Sequence, residues 1–361
     1  MNFSGSYRSG DVSFLLKPLA LQDFVDIPEK EKLIQSGQRH YSEMLSPESL
    51  PSERYLEVFR QACAVNLDRM ARDCMTLAAL IAARRKGAVT LVSLARAGTP
   101  VGVVLKHLLS GVLGREAAHY SVSIIRDRGI DQVALEHILA AGHAPESIVF
   151  VDGWTGKGVI SRELAAAIAQ FNARRGTAID GGLYVLSDLA GSAACAASCE
   201  DYLIPSSILN ATVSGLVSRS ILNESIGPGD FHGCVYYQQF EAHDQSQRFA
   251  DDLVARASAL GTPAGALAPM DRAAAAAISR QYMQAAQAQH GILDANMIKP
   301  GIGEATRVLL RRSPRLLIVR DPGAPEVAHL LLLAQEKNIP VATDGGLPYH
   351  AVSLIRSALD G

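Results

Sequence analysis

The stretch Ile148-Val-Phe-Val-Asp152-Gly-Trp-Thr155-Gly-Lys-Gly158 decides the fold class. Its first four residues are apolar, as a short strand buried on both faces requires. Asp152 stands at the C-terminal edge of that run. Gly153, Gly156 and Gly158 then alternate with Thr155 and Lys157, and Val159 to Ala169 reads as a helix. Strand, acid, glycine-rich loop and helix, in that order, predict an open parallel α/β sheet with a phosphate site. In such sheets ligands bind beyond the carboxyl ends of the strands, and phosphate sits on the N–H groups of a helix start. Glycines let the backbone come close to the anion. Thr155 adds a hydroxyl, Lys157 a positive charge, and Asp152 a carboxylate for ribose hydroxyls. Trp154 either stacks on a base or packs the loop onto the sheet. The spacing matches neither the Walker A loop nor Gly-x-Gly-x-x-Gly.

Working outward, strands and helices alternate, which implies βαβ units. Val89–Leu94 reads as a strand, followed by Ala95-Arg96-Ala97-Gly98-Thr99-Pro100 and a helix through Leu109. Tyr120–Ile125 is a second strand, followed by Arg126-Asp-Arg128-Gly129 and a helix from Asp131 to Ala141. Leu183–Leu186 is a further strand. Three successive strand ends therefore carry groups suited to anions. Upstream, Pro51 to Arg85 is helical, with Leu67, Met70, Ala71, Cys74, Leu77, Ala78 and Ile81 at helical spacing. Asn66 is the expected N-cap there and Gly87 the expected C-cap. Thr212–Leu222 is expected to be helical. Gly261 to Pro269 reads as a linker, and residues 270–289 as an Ala- and Gln-rich helix. Helices at Glu304–Arg311 and Pro325–Glu336 then alternate with strands at Leu316–Val319 and Pro340–Ala342. The expected division is a domain over 1–260, a linker and helix over 261–289, and a small α/β/α domain over 290–361.

The 361 residues are 48% hydrophobic and 19% charged, enough for more than one core. A net charge of -2 gives no global basic field for nucleic acid. Arg8, Asp11 and Lys17 argue against a signal peptide, and no apolar run is long enough to span a bilayer. Cys63, Cys74, Cys195, Cys199 and Cys234 have no paired spacing. They read as reduced thiols of a cytoplasmic protein.

The loops Leu91-Val-Ser-Leu-Ala-Arg96-Ala-Gly98 and Val149-Phe-Val-Asp152-Gly-Trp-Thr155-Gly156-Lys-Gly158 resemble the pyrophosphate and phosphoribosyl-pyrophosphate (PRPP) loops of type I phosphoribosyltransferases. More narrowly, the chain resembles a bacterial phosphoribosyltransferase-like family of tellurium-resistance and stress gene clusters, also labelled cysteine protease StiP. Gly5-Ser6-Tyr7, Asp11-Val12, His40-Tyr41, Tyr120 to Arg126 and Thr212 to Arg219 fit that narrower family. The resemblance covers most of residues 1–250. It implies an open parallel sheet with a hood, to which Ser4 to Tyr7 and His40-Tyr41 would belong. It also implies magnesium-dependent transfer of a ribosyl phosphate between pyrophosphate and a nucleobase-like acceptor. Asp152 would be the catalytic acid holding the ribose hydroxyls. Gly153, Thr155, Gly156, Lys157 and Gly158 would hold the 5′-phosphate. Arg96, Ala97, Gly98 and Thr99 would hold pyrophosphate, with Arg126 and Arg128 as further candidates. The type I pattern has two adjacent acids, and here the second position is Gly153. A phosphorylated nucleoside or ribose phosphate therefore competes with PRPP as ligand.

The segment Lys299-Pro-Gly301-Ile-Gly-Glu304-Ala-Thr-Arg307 resembles the RNA-binding loop and helix of Pelota-like domains, over roughly 290–361. It implies RNA contact through Lys299, Gly301, Glu304 and Arg307, from a helix start with free N–H groups. Two other classes stay open: a cysteine protease, which needs a thiolate and a histidine base in reach, and a non-catalytic phosphosugar- or RNA-binding module. The residues do not fix the acceptor or the oligomeric state, a homodimer included. No resident protein metal site is expected beyond the magnesium brought with PRPP.

Overall fold

The computed structural model describes residues 3–20, 24–262 and 271–356. Its strands, in chain order, are β1 (Ser13–Leu15), β2 (Lys17–Pro18), β3 (Val89–Ala95), β4 (Ala117–Ile125), β5 (Gly129–Ile130), β6 (Ile148–Thr155), β7 (Leu183–Asp188), β8 (Cys195–Ser198), β9 (Gly233–Cys234), β10 (Ile298–Pro300), β11 (Pro314–Val319), β12 (Val341–Thr343) and β13 (Ala351–Ile355). The helices are α1 (Ile27–Gln35), α2 (Glu53–Arg84), α3 (Thr99–His107), α4 (Gln132–Ala140), α5 (Val159–Arg175), α6 (Ser246–Leu260), α7 (Arg272–His290), α8 (Ile302–Arg311) and α9 (Ala328–Glu336).

The main sheet has seven strands in the order β1-β4-β3-β6-β7-β8, with β5 antiparallel on β4. All other pairings in it are parallel. Apolar residues alternate between the two faces. Leu91, Val149 and Val151 join α2, α3 and α6 on one side. Val92, Leu94, Ile148 and Phe150 join α4 and α5 on the other. The chain leaves β3 for β4 in one direction and later enters β6 on the opposite flank. Strand order thus reverses between β3 and β6, and a ligand crevice is expected at their carboxyl ends.

A four-stranded sheet, β10-β13-β11-β12, forms the C-terminal domain. Helix α7 covers one face through Tyr282, Met283 and Ala286. On the other, Ile302, Ala305 and Leu309 of α8 and Leu330 and Leu333 of α9 run into the main domain's apolar cluster. Tyr55 Oη at the start of α2 donates to Leu310 O at 2.7 Å, across this join.

Several boundaries differ from the sequence expectation. Strand β6 does not stop at Val151. Asp152, Trp154 and Thr155 pair with Val185, Ser187 and Asp188 of β7, so half of the expected loop is strand. Asn66 is no N-cap. Its Nδ2 donates to Ala62 O within α2, a 32-residue helix free of Gly and Pro and capped by Ser52. Residues 212–222 are not a helix. Gly215 (φ 83°) and Leu216 (φ 58°) turn the backbone left-handed after a short turn, and Val217 and Ile221 bridge to Tyr236 and Gly233. Strands β1, β2, β5, β8, β9, β10 and β13 lie outside the sequence expectation. The 261–269 linker lies almost wholly outside the described residues.

Candidate functional site

The turn after β6 is fixed by three contacts. Gly158 adopts φ 67° and caps α5. Its N–H donates to Thr155 Oγ1 at 3.0 Å, and that hydroxyl also meets Ser192 Oγ at 3.2 Å. Thr155 is therefore a buried brace of the loop. Lys157 Nζ donates to Ala295 O at 3.0 Å, reaching into the turn before β10. Gly156 leaves room for Pro300 O, which would lie 3.4 Å from a Cβ at this position.

Over this turn sits the C-terminal domain. Asp152, Trp154, Gly156, Lys157 and Arg126 line a cleft of about 150 Å3 with Lys299, Glu304 and Arg307. Thr155 to Gly158 of the expected phosphate loop and Lys299, Glu304 and Arg307 of the expected RNA segment thus line one cleft, while Gly153 and Gly301 do not line it. The Arg307 guanidinium lies over the Trp154 ring, 4.8 Å from its centroid, a cation–π contact. Glu304 pairs with Arg307 at 3.4 Å and with Lys299 at 4.0 Å. A Cβ at Gly303 would stand 3.4 Å from the indole.

Charge in the cleft is unbalanced towards positive: Arg126, Lys157, Lys299 and Arg307 face Asp152 and Glu304. Burial pushes the Asp152 carboxyl up from 3.8 to about 6, against the opposing pull of the Gly153 N–H at 2.7 Å and of Arg307. Burial, reinforced by Lys299, pushes the Lys157 ammonium down to about 8. Glu304 is the converse: burial alone would raise it, but Arg307, Lys299 and Lys157 hold it below its usual range. Nε of Arg126 and Nε of Arg307 are buried without a hydrogen-bond partner. Such a donor carries a desolvation cost of about 1–3 kcal/mol that an anion in the cleft would relieve.

Other expected residues are engaged elsewhere. Arg96 turns into the protein, donating to Glu48 at 2.6 Å, Val217 O at 2.8 Å and Asn210 Oδ1 at 3.1 Å. Its guanidinium is spent on these groups and does not line the cleft, in contrast to the expectation that it faces an anion. Thr99 is buried against Ser121 Oγ at 2.7 Å. Gly98 is needed for packing, since a Cβ there would lie 2.7 Å from Val151 O. Of that loop Ala97 alone lines the cleft. Arg128 pairs with Glu43. In the expected hood, Tyr41 Oη accepts from Arg126 N at 2.8 Å, which puts His40-Tyr41 beside the cleft. Tyr7 is buried and donates to Val213 O at 3.3 Å. One N–H at the start of α8 is already taken. Asp201 Oδ1 accepts from Ile302 N and Oδ2 from His350 N, both at 2.8 Å. Nothing in the sequence near Asp201 signals this clamp.

Burial raises four of the five thiols, Cys63 and Cys234 to about 12, with Cys74 and Cys195 also above the usual range. Cys199 is the exposed one. It lines a cleft of about 430 Å3 with Asp201, Arg320 and His350. An Arg320 guanidinium nitrogen lies 3.2 and 3.0 Å from the two ring nitrogens of His350. Among the described residues, no group of three or more His, Cys, Asp or Glu side chains is gathered as a metal site, and no helix is long and apolar enough to cross a membrane.

Comparison with known proteins adds three findings. Residues 277–357 match the PELOTA RNA binding domain, which covers β10 to β13 and most of α7. The chain is 42% identical over 367 aligned positions to "Cysteine protease StiP" of Acinetobacter baylyi (strain ATCC 33305 / BD413 / ADP1), covering 98% of this chain and 94% of that protein. Residues 5–254, which hold the main sheet and its strand-end loops, match the family described as tellurite-like stress resistance cysteine protease StiP. With both the main domain and nearly the full length matched, the chain belongs to the StiP family.

Proposed function

We propose that the chain is a thiol peptidase whose nucleophile is Cys199. The names carried by its family and by the Acinetobacter relative support this class over pentosyl transfer. One observation selects the residue: Cys199 is the exposed cysteine and shares a cleft with a histidine, while burial raises the other four thiols and so disfavours their thiolates. The His350 imidazole takes the thiol proton as Sγ attacks a peptide carbonyl and passes it to the leaving amine. Water then hydrolyses the thioester. Arg320 holds the same imidazole, its guanidinium nitrogen 3.0 Å from Nε2. Cys199→Ser is expected to lower cleavage of unfolded casein by roughly a hundredfold or more, with Cys63→Ser as the unaffected control. Retained cleavage in Cys199→Ser removes the assignment.

A second reading rests on the four cations and two carboxylates that line the cleft at the 152–158 turn. In it, the interdomain cleft binds a phosphorylated ribose and the enzyme transfers its ribosyl phosphate. Lys157, Lys299, Arg126 and Arg307 neutralise phosphate, and Asp152 accepts from the ribose hydroxyls. Magnesium, where the substrate brings it, would find Asp152 as its carboxylate and take its other ligands from phosphates and water. Catalysis would then be positioning and charge stabilisation. Trp154 is the single tryptophan of the chain, so its emission reports directly on the cleft. PRPP is expected to change that emission in wild type, and much more weakly in Asp152→Asn. An unchanged emission in wild type sinks this reading.

Asp152 also fixes a pH dependence of stability. Its folded value, about 6, lies above the unfolded 3.8. The buried carboxylate therefore costs nothing below about pH 4 and its full penalty above about pH 6. A two-unit rise corresponds to at most about 3 kcal/mol, and solvent at the cleft mouth reduces this. Asp152→Asn should therefore match wild type near pH 4 and gain relative stability as the pH rises to about 7. Thermal melts at the two pH values check the sign. A variant that instead loses stability as pH rises would show an aspartate held by its charge.

A further inference from the structure

A cavity of about 540 Å3 adjoins the 150 Å3 cleft and shares Arg126, Lys157 and Val159 with it. Its far wall is α7, with Arg280, Met283 and Gln284, and the turn before β10, with Asn296. The two spaces differ in size and chemistry. Ligand pockets for small molecules run from about 300 to 1,000 Å3. The first cleft suits a phosphorylated ribose, and Arg126, Lys157, Lys299 and Arg307 line it. The second is large enough for the body of a ligand. Val159 and Met283 give it an apolar, polarisable surface of the kind that takes the face of a flat ring. The exposed amides of Gln284 and Asn296 each offer donors and an acceptor, as the edge of a heterocycle requires. Arg126, Lys157, Arg162 and Arg280 against Asp127 and Glu163 leave it positive as well. One of those acids is also engaged, since Glu163 accepts from Asp127 N at 3.0 Å.

We propose that the two cavities form one site for a nucleoside monophosphate. Its phosphate would occupy the cleft at Lys157, Arg126, Lys299 and Arg307. Its base would lie on Val159 and Met283, with Gln284 and Asn296 along its edge. This assignment rests on the phosphorylated-ribose reading of the cleft and adds to it the base and the residues that meet it. Apart from Val159 of α5, those residues come from α7 and the turn before β10, so the site is incomplete in the main domain alone. It also gives α7 and the turn at 295–296 a role as the wall that reads the ligand.

The test is a titration of Trp154 emission in the full chain with the four common nucleoside 5′-monophosphates, ribose 5-phosphate and inorganic phosphate. At least one nucleotide is expected to bind at least about tenfold tighter than ribose 5-phosphate, from the added apolar contact and edge hydrogen bonds. Met283→Glu, and separately the exposed pair Gln284→Ala with Asn296→Ala, should erase that tenfold difference and leave ribose 5-phosphate binding unchanged. The second variant keeps the test intact if the first folds poorly. Equal binding of nucleotides and ribose 5-phosphate, or variants that leave the nucleotide advantage in place, overturns the base site while the phosphate site stands. No emission change with any phosphate-bearing probe overturns both.

Discussion

Asp201→Ala is expected to lower the melting temperature by roughly 5–10 °C and to loosen the C-terminal domain from the main sheet. The Asp201 carboxylate lies just after β8, on the main domain, yet both hydrogen-bond partners above belong to the C-terminal one. Oδ1 receives Ile302 N at the start of α8, and Oδ2 receives His350 N just before β13. Alanine leaves these N–H groups buried without acceptors, at about 1–3 kcal/mol each. An offset exists. Burial raises the Asp201 carboxyl above its usual range, so keeping it ionised costs stability that alanine recovers. Two orphaned donors outweigh that offset, because the same hydrogen bonds already hold the rise in check. The consequence reaches both candidate sites: α8 carries Glu304 and Arg307 into the interdomain cleft, and His350 lines the same cleft as Cys199. The radius of gyration by small-angle scattering should rise, and Trp154 emission should shift as Arg307 leaves its ring. A melting temperature within about a degree of wild type, with scattering unchanged, would show that apolar contacts of α8 and α9 dock the domain unaided.

How far the sequence discloses this molecule depends on whether the deciding interaction is local. The apolar runs at 89–94 and 148–151 stand in the sequence because both faces of a parallel sheet are covered, and strands β3 and β6 form there. Helix α4 begins where Asp131 suggests, with its Oδ1 accepting from Ala134 N at 3.1 Å. Edge strands are different. Residues 195–198 carry no alternation and become β8 only because β7 offers an open side. The extension of β6 through Thr155 has the same cause. Gly153 and Trp154 read as loop, but pairing with Ser187 and Asp188 holds the segment extended. The α/β class and the parallel sheet are thus legible. The strand count and the true ends of the strands follow from pairing partners far away in sequence.

The candidate site divides along the same line. Gly158 is readable because its backbone demand is local, a φ of 67°, whereas Gly98 must clear Val151 O on another strand. Side-chain assignments were less so. Arg96 looks like an anion ligand by position, but Glu48 and Asn210, which claim it, come from loops 48 and 114 residues away. The RNA-like segment at 299–307 was recognisable as a motif. That it folds onto Trp154 and Lys157 depends on the docking of two domains, which no spacing encodes. Cys199 was one of five similar candidates, and only burial separates it from the rest.

Gly158→Ala is expected to dismantle the turn, at a cost of about 2–4 kcal/mol and with loss of any phosphate-dependent change in Trp154 emission. Two terms add. The left-handed backbone at φ 67° costs a residue with a Cβ about 1–2 kcal/mol. The new Cβ would also lie 2.5 Å from Ser192 Cβ and 2.7 Å from its Oγ. Ser192 is held in place: its N–H donates to Asp188 Oδ1 at 3.2 Å, and the same buried carboxylate accepts from Ala190 N and Ala193 N. The strain therefore falls on the Gly158 side and pulls its N–H from Thr155 Oγ1, the bond that closes the turn before α5. Gly156→Ala is the matched control. Its nearest neighbour would be Pro300 O at 3.4 Å, with no left-handed φ to satisfy, so its cost should stay below about 1 kcal/mol. Thermal melts and Trp154 emission of the two variants side by side separate a specific backbone requirement from a general wish for small residues. Equal behaviour of the pair would mean that the loop tolerates a side chain at Gly158 and that its shape does not depend on the Thr155 brace.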